Sequence, residues 1–150
     1  MARWLLPLGS ADLATGGAIA PTPHVNGCLN APMRPLKPPA SATIDDFDRL
    51  DIRVGRITSA EPLAGARRPA YRLAVDFGPA GSRTSSAQLV ATYPDPATLV
   101  GRLVIAVVNF PPRRIAGFES QVLVLGALPD DGRIPLLGVD TGAQPGDPVG

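Results

Sequence analysis

Chemistry that depends on cysteine or histidine has almost nothing to work with in this 150-residue chain, which holds one of each, Cys28 and His24. A single cysteine closes no intramolecular disulfide, and no Cys/His cage for zinc can be assembled. Both residues stand in a proline-rich N-terminal stretch, so Ser-His and Cys-His catalysis are excluded from the remainder. Lysine is equally scarce. From Ser41 onward there are 11 arginines and no lysine against 12 acidic residues, a net of −1. A broad basic face of the kind that wraps a duplex does not fit that balance, and any nucleic-acid contact must be local, through a few well-placed arginines. Arginine in place of lysine, beside abundant Ala, Gly and Pro, also fits a GC-rich genome. No apolar run approaches the length of a membrane span. The segment Trp4-Leu5-Leu6-Pro7-Leu8 is broken too soon to form a signal-peptide core. No membrane partner and a cytoplasmic location are expected.

What the chain has in quantity is punctuation. Its 18 prolines and 16 glycines separate short apolar runs, a pattern of many short strands rather than long helices. Residues 1–42 carry Pro7, Pro21, Pro23, Pro32, Pro35, Pro38 and Pro39 with no sustained apolar period, and are expected to form a disordered extension. Met33 offers an alternative start. Residues 43–150 are expected to form one folded domain.

That domain opens with Thr43-Ile44-Asp45-Asp46, a capping hydroxyl followed by acids in a first helical turn, with Phe47 and Leu50 pointing inward. The acids Asp45, Asp46, Asp48 and Asp51 are expected to face water as helix-start charges rather than to bind metal. Leu50, Ile52 and Val54 then alternate with Asp51 and Arg53, and Gly55 interrupts before Ile57, as in a bulged first strand. Tyr71, Leu73, Val75 and Phe77 alternate with Arg72, Ala74 and Asp76 to give a second strand. A third is expected near 83–88, a short helix over 93–101, and a doubly buried strand at 103–108. A fifth strand at 120–125 and a short one near 134–137 follow. The order places a helix between the third and fourth strands, which predicts an all-β OB-fold: a five-stranded β-barrel with short terminal additions. A small β-sandwich is the alternative.

An OB barrel binds ligands on strands 2 and 3, between the loops joining strands 1–2 and 4–5. Here those loops are 64–70, with Arg67-Arg68, and 111–117, with Arg113-Arg114. Prolines stiffen both, and guanidinium groups fork onto phosphates or stack on bases. Paired arginines on loops are also ordinary solubilising charge. Their occurrence at both binding loops singles them out. Ser86 and Gln88 on the third strand, with Asn109, Ser120 and Gln121 around the second loop, offer groups that read base edges or ribose hydroxyls in single-stranded loops. Each of them also suits a strand end or a turn. Aromatic residues are only 5% of the chain. Phe47 and Phe77 are expected in the core, leaving Phe110 and Phe118 beside the arginine loop as candidates for stacking. This scarcity favours a folded RNA recognised by shape and phosphate over general single-strand binding.

Several segments carry a family resemblance. Asp45-Asp46-Phe47, Leu50-Asp51-Ile52-Arg53-Val54-Gly55-Arg56-Ile57, Ser85-Ser86-Ala87-Gln88 and the run from Val107 to Gly126, with Asn109-Phe110-Pro111-Pro112-Arg113-Arg114-Ile115-Ala116-Gly117-Phe118 at its heart, resemble the CsaA branch of the tRNA-binding-domain family. That family also includes the C-terminal appendage of methionyl-tRNA synthetases. The resemblance spans about Ile44 to the C-terminus. It implies an OB-fold homodimer that binds tRNA, with a secretion-related chaperone activity toward unfolded polypeptides. It places Arg53, Asn109, Arg113, Arg114, Ser120 and Gln121 on or beside the RNA surface, with Ser86 and Gln88 as neighbours. The chain departs from the family in its long N-terminal extension and in having arginine where lysine is usual. A peptide-binding role would need an exposed apolar groove around Phe110, Ile115 and Phe118. No acid/base pair, metal cluster, nucleophile elbow or phosphate-gripping glycine loop is visible. A non-catalytic protein without cofactor is therefore expected.

Overall fold

In a computed structural model of the chain, residues 35–38 and 41–150 are described. The extension expected over residues 1–42 lies almost wholly outside them. Helix α1 (Ile44–Asp48) begins as its sequence predicts, with a capping box. The Asp46 N–H donates to Thr43 Oγ1 (3.3 Å), and the Thr43 N–H donates to Asp46 Oδ2 (3.0 Å). That second bond holds the Asp46 carboxyl below its ordinary pKa. One expectation fails here: Phe47 is 40% exposed and belongs to no core. A five-residue helix at the chain's entry to the barrel has no sheet above it to bury against.

The barrel is built from β1 (Ile52–Pro62), β2 (Tyr71–Asp76), β3 (Ser82–Ala87), β4 (Leu103–Val107) and a two-residue strand at Leu123–Val124. They form one antiparallel sheet in the order β3-β2-β1-β4 and then Leu123–Val124. Alternation sets the inside. Ile57, Tyr71, Leu73, Val75, Phe77, Val104 and Ala106 form one buried cluster, while Arg72 and Arg56 of the same strands are exposed. The long strand β1 pairs with β4 over its first half and β2 over its second, and its register slips between Ile57 and Ser59. That bulge bends it around the barrel. Gly55 has a different task from the one expected. A Cβ there would stand 2.5 Å from Val75 Cγ1 and 2.7 Å from Phe77 Cε1. Only glycine lets the barrel wall close over Phe77.

The helix expected over 93–101 is a single 3₁₀ turn, Pro96–Leu99. Pro94 and Pro96 lack the N–H donors that a longer α-helix needs. The turn still plugs the barrel between β3 and β4, because Leu99 is fully buried in the core. The strand expected at 120–125 is also divided. Its first part pairs away from the barrel as a hairpin of β5 (Arg113–Ile115) and β6 (Phe118–Ser120), and its second part is the Leu123–Val124 strand, β7. The strand expected near 134–137 is reduced to one bridge, Gly126 to Leu136.

The gap between β3 and the chain after the hairpin is closed by side chains standing in for a ladder. The Ser85 hydroxyl donates to the Val122 carbonyl (2.9 Å), and Thr84 Oγ1 donates to the Glu119 carbonyl (2.7 Å). The Ser86 N–H donates to Ser120 Oγ (3.0 Å), and the Thr84 N–H to Gln121 Oε1 (3.2 Å). Two backbone donors, Gln121 and Val122, share the Thr84 carbonyl at 2.8 and 3.2 Å. The sheet thus becomes a nearly closed OB-type barrel. No helix of the described residues is long and apolar enough to cross a membrane.

Candidate nucleic-acid interface

The loop at 111–117 is a hairpin rather than an irregular loop. Ile115 pairs with Phe118, and the two residues between them, Ala116 (φ 50°) and Gly117 (φ 80°), both have positive φ. Two successive positive φ values are the mark of a type I′ turn, which twists with its strands. Arg113 and Arg114 are therefore on a short ribbon, exposed, at fixed places along its edge. The hairpin leans over the end of β3 and meets the loop at 64–70.

Two cavities flank the hairpin, and the first records that meeting. One, about 520 Å³, is lined by Arg67, Arg68 and Arg114 together with Ser86 and Gln88. The other, about 380 Å³, is bounded by Phe110, Ile115, Val122 and Leu123, with Arg113, Ser86, Ser120 and Gln121 at its polar side. Ser86 and Ile115 line both. No acidic residue lines either one.

Charge is distributed unevenly over the arginines. Arg49 pairs with Asp46, Arg53 with Asp51, Arg72 with Glu61 and Arg133 with Asp131. Arg102 lies over the Tyr93 ring, 4.9 Å from its centroid. Arg56, Arg83, Arg67, Arg68, Arg113 and Arg114 make no ion pair among the described residues, and the last four of these line the two cavities. These four are exposed, and unneutralised guanidinium groups close together raise a positive potential that a whole-domain charge of −1 conceals.

Of the other residues singled out by sequence, Ser86 and Gln88 join the arginines. Their side chains form no hydrogen bond within the described residues, so hydroxyl and amide are available. Ser120 and Gln121 are at the edge of the smaller cavity with their polar groups engaged. Ser120 Oγ accepts from Ser86, while Gln121 accepts from Thr84 and donates to Glu119 Oε1 (3.1 Å). Their visible work is to hold the barrel shut. Arg53 and Asn109 lie outside both cavities. The Arg53 guanidinium donates to Asp51 Oδ1 (2.7 Å) and to the Gly146 carbonyl (3.0 Å), clamping the C-terminal segment to β1. Asn109 accepts from the Asp51 N–H (3.0 Å) and donates to the Arg49 carbonyl (2.8 Å), tying the end of β4 to the segment after α1. Phe110 borders the smaller cavity, whereas Phe118 lines a different one with Arg72 and Thr84. Val122 and Leu123 escaped notice in the sequence. An apolar pair directly after Ser120-Gln121 was the one signal they gave.

A small barrel with an arginine-bearing face across β3 and two flanking loops defines a nucleic-acid-binding class of OB-fold. A family model described as "Putative tRNA binding domain" matches residues 52–148. The chain belongs to the tRNA-binding-domain family. It is 44% identical over 110 residues to a methionine–tRNA ligase of Neisseria meningitidis serogroup B, covering 73% of this chain and 16% of the ligase. The chain thus spans about a sixth of the curated ligases it matches. Among solved structures it resembles the chaperone CsaA of Bacillus anthracis, with 46% identity, a TM-score of 0.70 and coverage of 74% of this chain and 100% of that one. The CsaA chaperone protein of Picrophilus torridus is similar at 44% identity and a TM-score of 0.67, covering 73% and 99%. The likeness is thus CsaA-like over the entire barrel.

Proposed function

We propose that this chain binds tRNA, without catalysing a reaction on it, across the face formed by the 64–70 loop, the end of β3 and the β5–β6 hairpin. The observation that carries this reading is the convergence of four unpaired arginines, Arg67, Arg68, Arg113 and Arg114, beside the free polar side chains of Ser86 and Gln88. Guanidinium forks meet phosphate oxygens, and the hydroxyl and amide reach riboses or base edges. Ser120 and Gln121 hold that face in shape. Arg53 and Asn109 act from behind it, by fixing the segments against which β1 and β4 pack. A cytoplasmic location follows from the partner.

The chain acts as a homodimer on this reading, so that two arginine faces meet one RNA and gain avidity. The exposed Ile44 and Phe47 of α1 supply apolar surface for such a contact. A second reading is supported by the apolar walls of the smaller cavity at Phe110 and Ile115, which suit a side chain of an unfolded or secretory polypeptide.

Binding of labelled bulk tRNA across a salt series tests the first reading. With about four arginine–phosphate contacts per subunit, log affinity falls against log salt with a slope of roughly −3. Arg113→Ala/Arg114→Ala brings the slope to about half of that. Absence of binding by folded protein at low salt, or a slope near zero, overturns the reading. Binding of polypeptide that strengthens with salt favours the second.

A further inference from the structure

The smaller cavity differs in kind from the arginine-lined one beside it. Its walls are Phe110, Ile115, Val122 and Leu123, its opening carries Arg113 and Ser86, and its volume of about 380 Å³ lies in the range of small-molecule sites. A phosphate has no reason to enter such a space, and a paired base cannot. What fits is a flat, largely apolar group with polar edges, attached to an anion that remains outside. Ser86 and Ile115 separate the two cavities, so a group in the first would have its attached phosphate beside Arg114, Arg67 and Arg68 in the second. A nucleotide has that form.

We infer that the cavity bounded by Phe110, Ile115, Val122 and Leu123 takes one unstacked base of the bound RNA. This rests on the RNA-binding reading above and sharpens it. The preferred ligand is an RNA with an unpaired nucleotide projecting from a loop, bulge or end, not the paired stem. The chemistry matches single-stranded RNA recognition, in which a splayed base stacks on an aromatic ring while its edge is hydrogen-bonded. Phe110 supplies the ring. The Ser86 hydroxyl, which has no partner among the described residues, supplies the edge contact. An apolar side chain from an unfolded polypeptide would fit the walls, but it would leave the acid-free arginine rim without a counter-charge.

The test uses the full chain and two probes with the same number of nucleotides and nearly equal charge, a single-stranded RNA 24-mer and a blunt-ended RNA stem of 12 base pairs without a loop, with bulk tRNA alongside. Wild-type protein binds the single strand several-fold tighter than the stem. Phe110→Ala abolishes that preference by weakening the single strand at least about five-fold, with the salt slope unchanged. Phe110→Tyr keeps the ring and retains the preference. Phe110 is 43% exposed and outside the buried core cluster, so its truncation leaves the fold intact, and an unchanged melting temperature verifies this. If tRNA binds but stem and single strand bind alike, or Phe110→Ala weakens them equally, the base cavity is overturned while the RNA reading stands. If Phe110→Ala instead weakens only an unfolded polypeptide such as reduced, carboxymethylated α-lactalbumin, the cavity belongs to peptide. If no RNA binds, both readings fall.

Discussion

Gly65 and Ala116 are neighbours across two different loops: a Cβ placed on Gly65 would lie 3.8 Å from the Cβ of Ala116. The contact brings the tip of the β5–β6 hairpin against the loop that follows β1. Each carries an arginine pair within three residues of the contact. The two binding loops of this barrel are therefore one surface, and its geometry depends on the hairpin turn being held.

Ala116 is the one described non-glycine residue with positive φ, at 50°. Its Cβ crowds the backbone there, at a cost of about 1 kcal/mol that glycine would not incur. Ala116→Gly is expected to leave the melting temperature equal or raised by a few degrees, and to leave tRNA affinity within two- to three-fold of wild type. Replacing Ala116 with valine, which resists positive φ most strongly, is expected to weaken tRNA binding through the hairpin. Thermal unfolding and a binding curve for each variant check both outcomes.

Ser85 is the sole buried polar residue among those described, and its hydroxyl satisfies the Val122 carbonyl. Ser85→Ala leaves that carbonyl with only a long 3.5 Å bond from Ser120 Oγ, at the seam where β3 meets the chain beyond the hairpin. A loss of about 1–2 kcal/mol in urea unfolding is expected. Hydrogen exchange should rise first at the amides of Gln121 and Val122, which bond across the same seam. Uniform exchange throughout the barrel would contradict the assignment of this bond to the seam.

Arg53 distinguishes support from contact. Its guanidinium is occupied by Asp51 and the Gly146 carbonyl, and its strand bridges to Pro148. Arg53→Ala is expected to lower stability by about 1 kcal/mol through the freed C-terminal segment, with the salt slope of tRNA binding unchanged. A slope reduced by about one would instead show that Arg53 meets a phosphate directly.

How far the chain could be read from its residues follows from how local each signal was. Strands β1 and β2 were legible because inward and outward positions alternate within a few residues, as in Tyr71, Leu73, Val75 and Phe77, and β4 because the run at 103–108 is apolar throughout. The helix cap at Thr43 was legible because its partner is three residues away. The division of the fifth strand was hidden, since Ser120 and Gln121 use side chains to bond Ser86 and Thr84, more than thirty residues earlier. The exposure of Phe47 was hidden for a similar reason. An apolar residue in an amphipathic turn is buried only if another element lies over it, and here none of the described ones does.

The site divides along the same line. Composition and spacing by themselves determined that cysteine and histidine chemistry is missing from the barrel, and that arginine pairs stand in both binding loops. The tertiary structure decided the pairing of Arg72, whose acid Glu61 folding brings to it across a hairpin, whereas Arg49, Arg53 and Arg133 pair with acids two or three residues away. Folding also brings the Gly146 carbonyl to the Arg53 guanidinium from 93 residues away. Arg67, Arg68, Arg113 and Arg114 find no acid among the described residues. The apolar cavity between Phe110 and Leu123 is likewise a product of folding: its walls come from both sides of a hairpin, and no stretch of sequence contains its shape.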